Sequence, residues 1–321
     1  MLSRKCSSKA RLDGRTAVVT GANSGIGKAT ALDLFRRGGR IILACRDLKR
    51  AQEAVDDIRR QTSGIEGLGE LVIVHLDLSS LASVRECAKN LLRTEKQIHL
   101  LINNAGVCFI PKRLTKDGFE MHLGVNHFGH FLLTSLLLPC IIRSAPARII
   151  TVSSKFHTMD PNIPLDDVAW ENQTFSTFKA YSQSKLANIL FTKELANKLQ
   201  GTGVTTYAVE PGVVSTDALR YANESMFQGA RWLLRMFSPL AKTATQGAQT
   251  TIYCAVDEKV VAESGFYYGN CRLSTPSTAA RDPERAKMLW DASVRLVGLE
   301  NWDPFTAGDV FPSDCAENTK L

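Results

Sequence analysis

Short β-branched apolar runs alternate along the chain with longer segments whose apolar residues recur every three or four positions. Residues 16–20, 40–45, 71–76, 98–103, 148–153 and 204–209 are near-continuous apolar runs, the pattern of strands covered by helices on both faces. Residues 25–37, 48–61, 81–93, 118–142 and 178–199 carry helical spacing between them. This repeated β-α order predicts an α/β fold with a doubly wound parallel sheet in a single domain over 13–300. A run at 265–268 would add a seventh strand. Residues 1–12 read as a basic, polar N-terminal extension, loose over 1–10, and 301–321 as a flexible C-terminal tail.

The first strand runs into Thr20-Gly21-Ala22-Asn23-Ser24-Gly25-Ile26-Gly27 and straight on into a helix. Glycines in that context let the backbone approach a pyrophosphate, and the helix N-terminus offers free N–H groups and a positive dipole end. Gly27-Lys28 suggests a nucleoside-triphosphate loop, but Ala22 stands where that motif needs its first glycine and Ala29 where it needs a hydroxyl for magnesium. Far downstream, Tyr181 and Lys185 stand four residues apart on a helical segment. A phenol and an ammonium at that spacing share one helix face. By itself such a pair is most often a solvated face; beside a cofactor turn it fits a proton relay at a nicotinamide ribose.

Composition narrows the classes further. The 321 residues are 44% hydrophobic, enough for a sizeable core. Thirty-nine Lys and Arg against 32 Asp and Glu give a net charge of +7, scattered along the chain, which suits an anionic cofactor or membrane surface better than nucleic acid. The eight cysteines show no Cys-x-x-Cys pair and no ligand spacing with the six histidines, so we expect buried, reduced thiols and no metal. Residues 1–11 lack the apolar stretch of a signal peptide, which makes the sequons at Asn172 and Asn223 chance occurrences. The most apolar run, 131–142, contains Pro139 and falls short of the roughly 18 residues a membrane span needs, so a buried helix end is expected. Thr319-Lys320-Leu321 differs from the Ser-Lys-Leu peroxisomal address by its threonine and reads more plainly as a frayed tail. The expected location is the cytoplasm or a cytosol-facing membrane surface.

The Gly-x-x-x-Gly-x-Gly turn, Asn103-Asn104-Ala105-Gly106 and Tyr181-x-x-x-Lys185 together resemble the short-chain dehydrogenase/reductase family, over nearly the whole chain from about Asp13 to Trp302. Ala44-Cys45-Arg46-Asp47, the stretch 124–134, Ser182-Gln183-Ser184-Lys185-Leu186-Ala187-Asn188 and Gln246-Gly247-Ala248-Gln249-Thr250 look like its retinol dehydrogenase branch. Departures are the lack of the N-terminal membrane anchor common in that branch, Glu210 before Pro211-Gly212 where a histidine is common, and an altered segment over 162–177. The resemblance implies a Rossmann-type domain and a catalytic set of Asn126, Ser154, Tyr181 and Lys185, with Ser154 and Tyr181 meeting the substrate. The chemistry agrees: a phenol titrating near ~10 needs a neighbouring cation to serve as acid or base near neutrality. Ser154, beyond the apolar strand end, can hold the substrate oxygen, and we prefer it to Ser153 for that position.

The same resemblance implies cofactor contacts from Gly21, Asn23, Ser24, Gly25, Ile26 and Gly27, from Asp77 to the adenine, and from Asn104, Ala105 and Gly106. Tyr181, Lys185, Pro211, Gly212, Val214 and Thr216 would complete the set at the nicotinamide end. At the end of the second strand Cys45 occupies the position of the acid that reads an NAD ribose and Arg46 follows it, which favours NADP(H). Asp47 is then a helix cap, unless the strand end lies one residue further on. A substrate lid is expected over 217–242, rich in apolar residues such as Trp232, Met236 and Phe237. The expected activity is NADP(H)-dependent interconversion of an apolar aldehyde or ketone and its alcohol, retinal and retinol first. Alternatives are other lipid aldehydes or steroids, or a cofactor-binding scaffold or sensor without turnover. A homodimer is suggested by the resemblance, and contact of the lid with an anionic membrane is the alternative to a buried lid.

Overall fold

In a computed structural model of the chain, described for residues 3–214, 241–306 and 311–312, the apolar runs form one sheet whose helices cover both faces. The strands are β1 (Thr16–Thr20), β2 (Arg40–Cys45), β3 (Glu70–His75), β4 (Leu100–Asn103), β5 (Ala147–Val152), β6 (Val204–Glu210) and β7 (Phe266–Gly269). Their spatial order is β3-β2-β1-β4-β5-β6-β7, all parallel, and a two-residue β8 (Arg272–Leu273) closes the edge antiparallel to β7. The sheet therefore has eight strands, one more than the sequence pattern resolved, because a two-residue strand has no periodicity to read.

Alternating burial of both strand faces builds two cores. On one face, α1 (Gly25–Arg36) and α2 (Leu48–Gln61) cover Val19, Ile41, Leu43, Ile102 and Ile150, together with α7 (Ala244–Val256), a helix the pattern did not single out. On the other, α3 (Leu81–Thr94), α5 (Gly129–Arg143), α6 (Thr177–Lys198) and α9 (Pro283–Leu296), the last preceded by the short α8 (Thr278–Arg281), cover Val18, Ile42, Leu101 and Ile149. Because the chain order reverses between β1 and β4, their carboxyl ends leave a crevice at Thr20 and Asn103, where ligands sit in folds of this kind.

A short α4 (Met121–Leu123), a π-helical turn (Gly124–Phe128) and α5 run on as one helix, Met121–Arg143. It is 23 residues long with mean hydropathy 1.5, apolar and long enough by composition to span a bilayer, but 89% of its most apolar stretch is buried inside the fold. The apolar run 131–142 is thus the buried C-terminal end of a long core helix, as expected, and the helix begins ten residues before it. Phe131 on it packs edge-on against Trp290 and Phe191, at ring separations of 5.0 and 5.5 Å.

Neither chain end hangs free where it is described. Cys6 N–H donates to Gln249 Oε1 (3.0 Å), and Arg37 Nη1 donates to the carbonyls of Ser8 (3.0 Å) and Ala10 (2.8 Å), so the basic N-terminal segment is tied along the sheet by its backbone. In the C-terminal segment Trp302, Phe305 and Phe311 pack against the α5–α6 core, and Lys89 lies over the Phe311 ring at 5.8 Å. Seven cysteines, Cys6, Cys45, Cys87, Cys108, Cys140, Cys254 and Cys271, are buried thiols.

Phe131 is fully buried at the junction of α5, α6 and α9. Phe131→Ala should cost about 3–5 kcal/mol of unfolding free energy, measured from urea midpoints at unchanged slope; a loss below about 1 kcal/mol would mean the three helices do not meet as described.

Candidate active site

The glycine turn is built for close approach. Gly21 has φ +66°, and a Cβ there would stand 2.9 Å from Ala105 Cα; a Cβ on Gly27 would stand 2.5 Å from both Gly21 O and Asn104 Nδ2. Only glycine therefore lets β1, the turn and the 104–106 segment nest. Helix α1 begins at Gly25 with no side-chain cap from Ser24 and no acidic residue in its first turn. Its first N–H groups and the positive end of its dipole are left for an anion. Asn23, Ser24, Gly25 and Ile26 lie on this rim, and Lys28 turns away to pair with Asp57 of α2. The cradle thus fits a dinucleotide pyrophosphate and not a nucleoside-triphosphate loop with a phosphate-directed lysine.

At the carboxyl end of β5 the two serines diverge. Ser153 is buried and its hydroxyl donates to Lys185 O (2.7 Å), tying β5 to α6. Ser154 caps a short 3-10 turn (Lys155–Thr158), accepting from Phe156 N–H (3.3 Å), and its hydroxyl stands near enough to the Tyr181 phenol to act on its ionisation. Four residues on from Tyr181, Lys185 is 4% exposed, with Nζ donating to Val152 O (3.0 Å) and standing 5.7 Å from the Tyr181 ring centre. Asn126, in the π-helical turn, accepts from Val107 N–H at Oδ1 (2.8 Å) and donates through Nδ2 to Val107 O (3.0 Å) and Ser184 Oγ (2.9 Å). A Cβ on Gly106 would sit 3.1 Å from Asn126 Oδ1 and 3.6 Å from Lys185 Nζ, so the loop after β4 lies against both groups. The fold thus brings Asn126 and Lys185 together at Gly106, with Tyr181 one turn from Lys185 and Ser154 beside Tyr181.

Burial dominates the electrostatics of this cluster. Desolvation, helped by the neighbouring Cys108 sulfur, raises the Tyr181 phenol against the lowering effect of the Ser154 hydroxyl, and it pushes Lys185 down to about 8. The Cys108 thiol is itself pushed up to about 11 by burial, so it stays neutral beside them. Both functional groups are therefore held away from their solution values by the same dry environment.

At the adenosine side, Cys45 ends β2; burial raises its thiol to about 11 while the N–H groups of Ala22 and Asn23 point at its sulfur. Asp47 is committed as the N-cap of α2, accepting from Arg50 N–H (3.0 Å). Arg46 between them is exposed. Burial works against the charge of Asp77, but the Ser79 hydroxyl (2.7 Å) and N–H (3.1 Å), with Arg46 and Lys116 nearby, outweigh it and hold the carboxyl below its usual range. Asn104 donates through Nδ2 to Thr20 O (2.8 Å). On the far side Pro211 and Gly212 (φ +81°) follow β6, and Val214 pairs with Lys242; a Cβ on Gly247 would meet Val214 Cγ2 at 2.7 Å and Ile26 Cγ1 at 3.2 Å, so Val214 reaches the glycine turn. Thr216 and nearly all of the expected lid, 217–242, lie outside the described residues.

Several site residues were not legible as such in the sequence. Thr20 and His130 connect the glycine turn to the long helix that carries Asn126 through a 2.8 Å hydrogen bond. Lys242 lies along Gly212, with Nζ 3.1 Å from where a Cβ would be. Phe109 packs on the Tyr181 ring at 5.0 Å. The signal for Thr20 was its place at the end of β1, and Lys242 closed the expected lid segment without a role beside Gly212; Phe109 had none, since it belongs to no periodic segment.

A nicotinamide-dependent oxidoreductase is the class that this sheet and cluster define. The sequence matches the short chain dehydrogenase family over residues 15–164 and 168–226, and the chain belongs to that family. Its relatives include retinol dehydrogenase 12 of Homo sapiens, 46% identical over 298 residues, spanning 93% of this chain and 90% of the relative. Retinol dehydrogenase 13 of Homo sapiens is 48% identical over 297 residues, spanning 92% and 88%. Among solved structures, a putative uncharacterized protein from Mycobacterium Paratuberculosis superposes with a TM-score of 0.73 at 33% identity, covering 92% of this chain and 98% of that one. A putative NAD(P) dependent gluconate 5-dehydrogenase from Beutenbergia cavernae, with NADP bound at low occupancy, gives 0.62 at 26% identity, covering 81% and 96%.

A buried lysine carries a cost with a definite pH signature. The folded value of about 8 lies below the ordinary 10.5, so between them the unfolded chain binds more protons. The penalty is full below pH 8 and fades as pH rises through that window. Lys185→Met should stabilise the cofactor-free protein at pH 7 by roughly 1–3 kcal/mol, with a smaller gain at pH 10, both read from denaturant midpoints. An equal gain at the two pH values would rule out the burial penalty as its source.

Proposed function

We propose that the chain is an NADP(H)-dependent alcohol dehydrogenase and carbonyl reductase that interconverts an apolar aldehyde or ketone and its alcohol. Retinal and retinol are the first pair to test, because relatives of 46–48% identity carry the name retinol dehydrogenase. The observation that carries the reading is the gathering of Ser154, Tyr181 and Lys185 at the carboxyl end of the sheet, beside an uncapped helix N-terminus.

The geometry supports the following roles. A bound nicotinamide supplies the hydride in reduction and takes it up in oxidation. Ser154 Oγ holds the substrate oxygen as charge grows on it. Tyr181, raised by burial, stays protonated at neutral pH and donates its phenolic proton to that oxygen. Lys185, charged below about 8, compensates the phenolate left behind. Asn126 fixes the loop that carries Gly106, and with it the floor of the site. At the other end Arg46 meets a 2′-phosphate, since Cys45 presents no carboxylate and Asp47 is used as a cap.

Two substitutions test the parts separately. Tyr181→Phe should lower kcat for retinal reduction by ~100- to 10,000-fold while the NADPH dissociation constant, measured by fluorescence, moves less than threefold; near-normal turnover would remove Tyr181 from the chemistry. A carbonyl panel that includes other lipid aldehydes and steroids identifies the substrate, and intact NADPH binding with no turnover across it would favour a sensor. Arg46→Ala should weaken NADPH about ten- to hundredfold, the range for a charge-assisted contact, and leave NADH little changed. Equal losses for the two cofactors would show that Arg46 does not read the phosphate.

A further inference from the structure

Beside the proposed catalytic cluster lies a polar pair that the reaction does not use. Glu120 and His122 are both fully buried, with His122 Nδ1 at 2.7 Å from Glu120 Oε1. The other carboxylate oxygen accepts from the N–H groups of His122 (2.9 Å) and Leu123 (3.2 Å), so the acid is fixed at the start of the long helix. With Nδ1–H committed to the carboxylate, Nε2 is the accepting nitrogen, and it receives Ile110 N–H at 3.4 Å. Ile110 O in turn accepts from Thr177 Oγ1 (2.9 Å) at the first turn of the helix that carries Tyr181. At its other end the same segment is held by Val107, whose N–H and carbonyl both pair with Asn126.

Between these two clamps Phe109 has φ +48°, a left-handed backbone that a bulky L-residue keeps only where its surroundings over-determine it. The conformation turns its ring into the site. Phe109 lies 5.0 Å from the Tyr181 ring, 5.2 Å from Phe156 and 5.1 Å from Phe178. Phe156 follows Ser154 by two residues and Phe178 precedes Tyr181 by three. The aromatic wall therefore stands next to the two hydroxyls that would bracket a substrate oxygen, where the group attached to the carbonyl carbon must lie. An aromatic wall stacks on a flat conjugated system and gains less from a saturated chain of equal length.

We propose that Phe109 is a specificity-determining residue that selects carbonyl compounds conjugated to a flat π-system over saturated ones, and that the Glu120–His122 pair is its positioning device. The proposal rests on the carbonyl reductase reading above.

The test is the ratio of kcat/KM for (E)-2-decenal to that for decanal, with saturating NADPH, in the full-length wild-type protein and its variants. The ratio cancels effects on cofactor or proton transfer common to both aldehydes. Phe109→Leu should lower the ratio about three- to tenfold, the range expected for an aromatic pair, with most of the change in KM for the enal. Phe109→Tyr, which keeps the ring, should stay within twofold of wild type. His122→Gln should shift the ratio in the same direction as Phe109→Leu while NADPH affinity is unchanged, since a general loss of structure would lower both rates together. Should Phe109→Leu fail to fold, Phe178→Leu at the half-exposed member of the wall gives the same readout. A ratio within twofold of wild type in the folded leucine variant overturns the role of Phe109, and an unmoved ratio in His122→Gln overturns that of the pair. A wild-type protein that reduces neither these nor other carbonyls defeats the functional reading itself, and this proposal with it.

Discussion

Thr20 Oγ1, at the end of β1, accepts from the N–H groups of Asn104 and Ala105, each at 2.9 Å, and lies 2.8 Å from His130 Nε2. A hydroxyl has one proton to give and two lone pairs to receive with. Both lone pairs are taken, and the proton goes to His130, because the Ile102 carbonyl at 3.4 Å is too distant to compete. His130 can accept at Nε2 only as the neutral tautomer protonated at Nδ1, and that nitrogen is 3.1 Å from Asn126 O. Burial supplies the condition by pushing the ring down to about 4. The cofactor turn, the loop after β4 and the backbone of Asn126 are thus positioned through one side chain at the switch point of the sheet. The glycines that let them nest would be wasted without it, since close approach of two backbones is stable only when their polar groups are paired.

The chemistry proposed for Tyr181 and Lys185 is opposed to the stability of the fold at the same atoms. Tyr181 and Lys185 are drawn into a dry site, where the ammonium of Lys185 donates to Val152 O and the phenol lies beside the Ser154 hydroxyl. Water would restore both groups to their solution values and remove the reason for placing them together. The surrounding structure carries the cost: α5 is buried along nearly its whole length, and α6 on most of its faces. The π-helical turn at Asn126 belongs to the same compromise. One extra residue in the turn costs hydrogen-bond geometry but leaves Asn126 free to pair with Val107 and Ser184 instead of facing the next strand.

What could be read in the sequence was what obeys a period or a fixed spacing. Strands β1 and β2 and helix α2 lie at the expected residues, because each is a single apolar run or stripe between turn residues. The glycine turn and the Tyr181–Lys185 spacing were legible for the same reason: both are local. β8 was not, nor the ordering of the N-terminal segment. That segment is held through backbone groups, with Arg4 N–H donating to Asn270 Oδ1 (2.9 Å) and Arg4 O within 3.8 Å of Cys271 Sγ, and backbone anchoring leaves no trace in a hydropathy pattern. Its effect is to tie the chain start to the turn that joins β7 and β8.

The cofactor and substrate sides differ in legibility because they are made of different things. The groups proposed for phosphate and ribose stand at strand ends and one helix N-terminus, positions that the parallel sheet itself dictates. The aromatic wall proposed for the substrate comes from segments without periodicity: the 107–110 loop, the 3-10 turn after Ser154 and the first turn of α6. Its shape depends on pairings between residues far apart in sequence, such as Thr177 Oγ1 with Ile110 O across 67 positions. A histidine such as His122 then looks like an ordinary core residue until its two ring nitrogens are traced, one to Glu120 and one to the loop that carries Phe109. Changes in such a loop can alter which carbonyl compound is accepted while the sheet, the glycine turn and the proton relay stay as they are, which is how one fold serves many substrates.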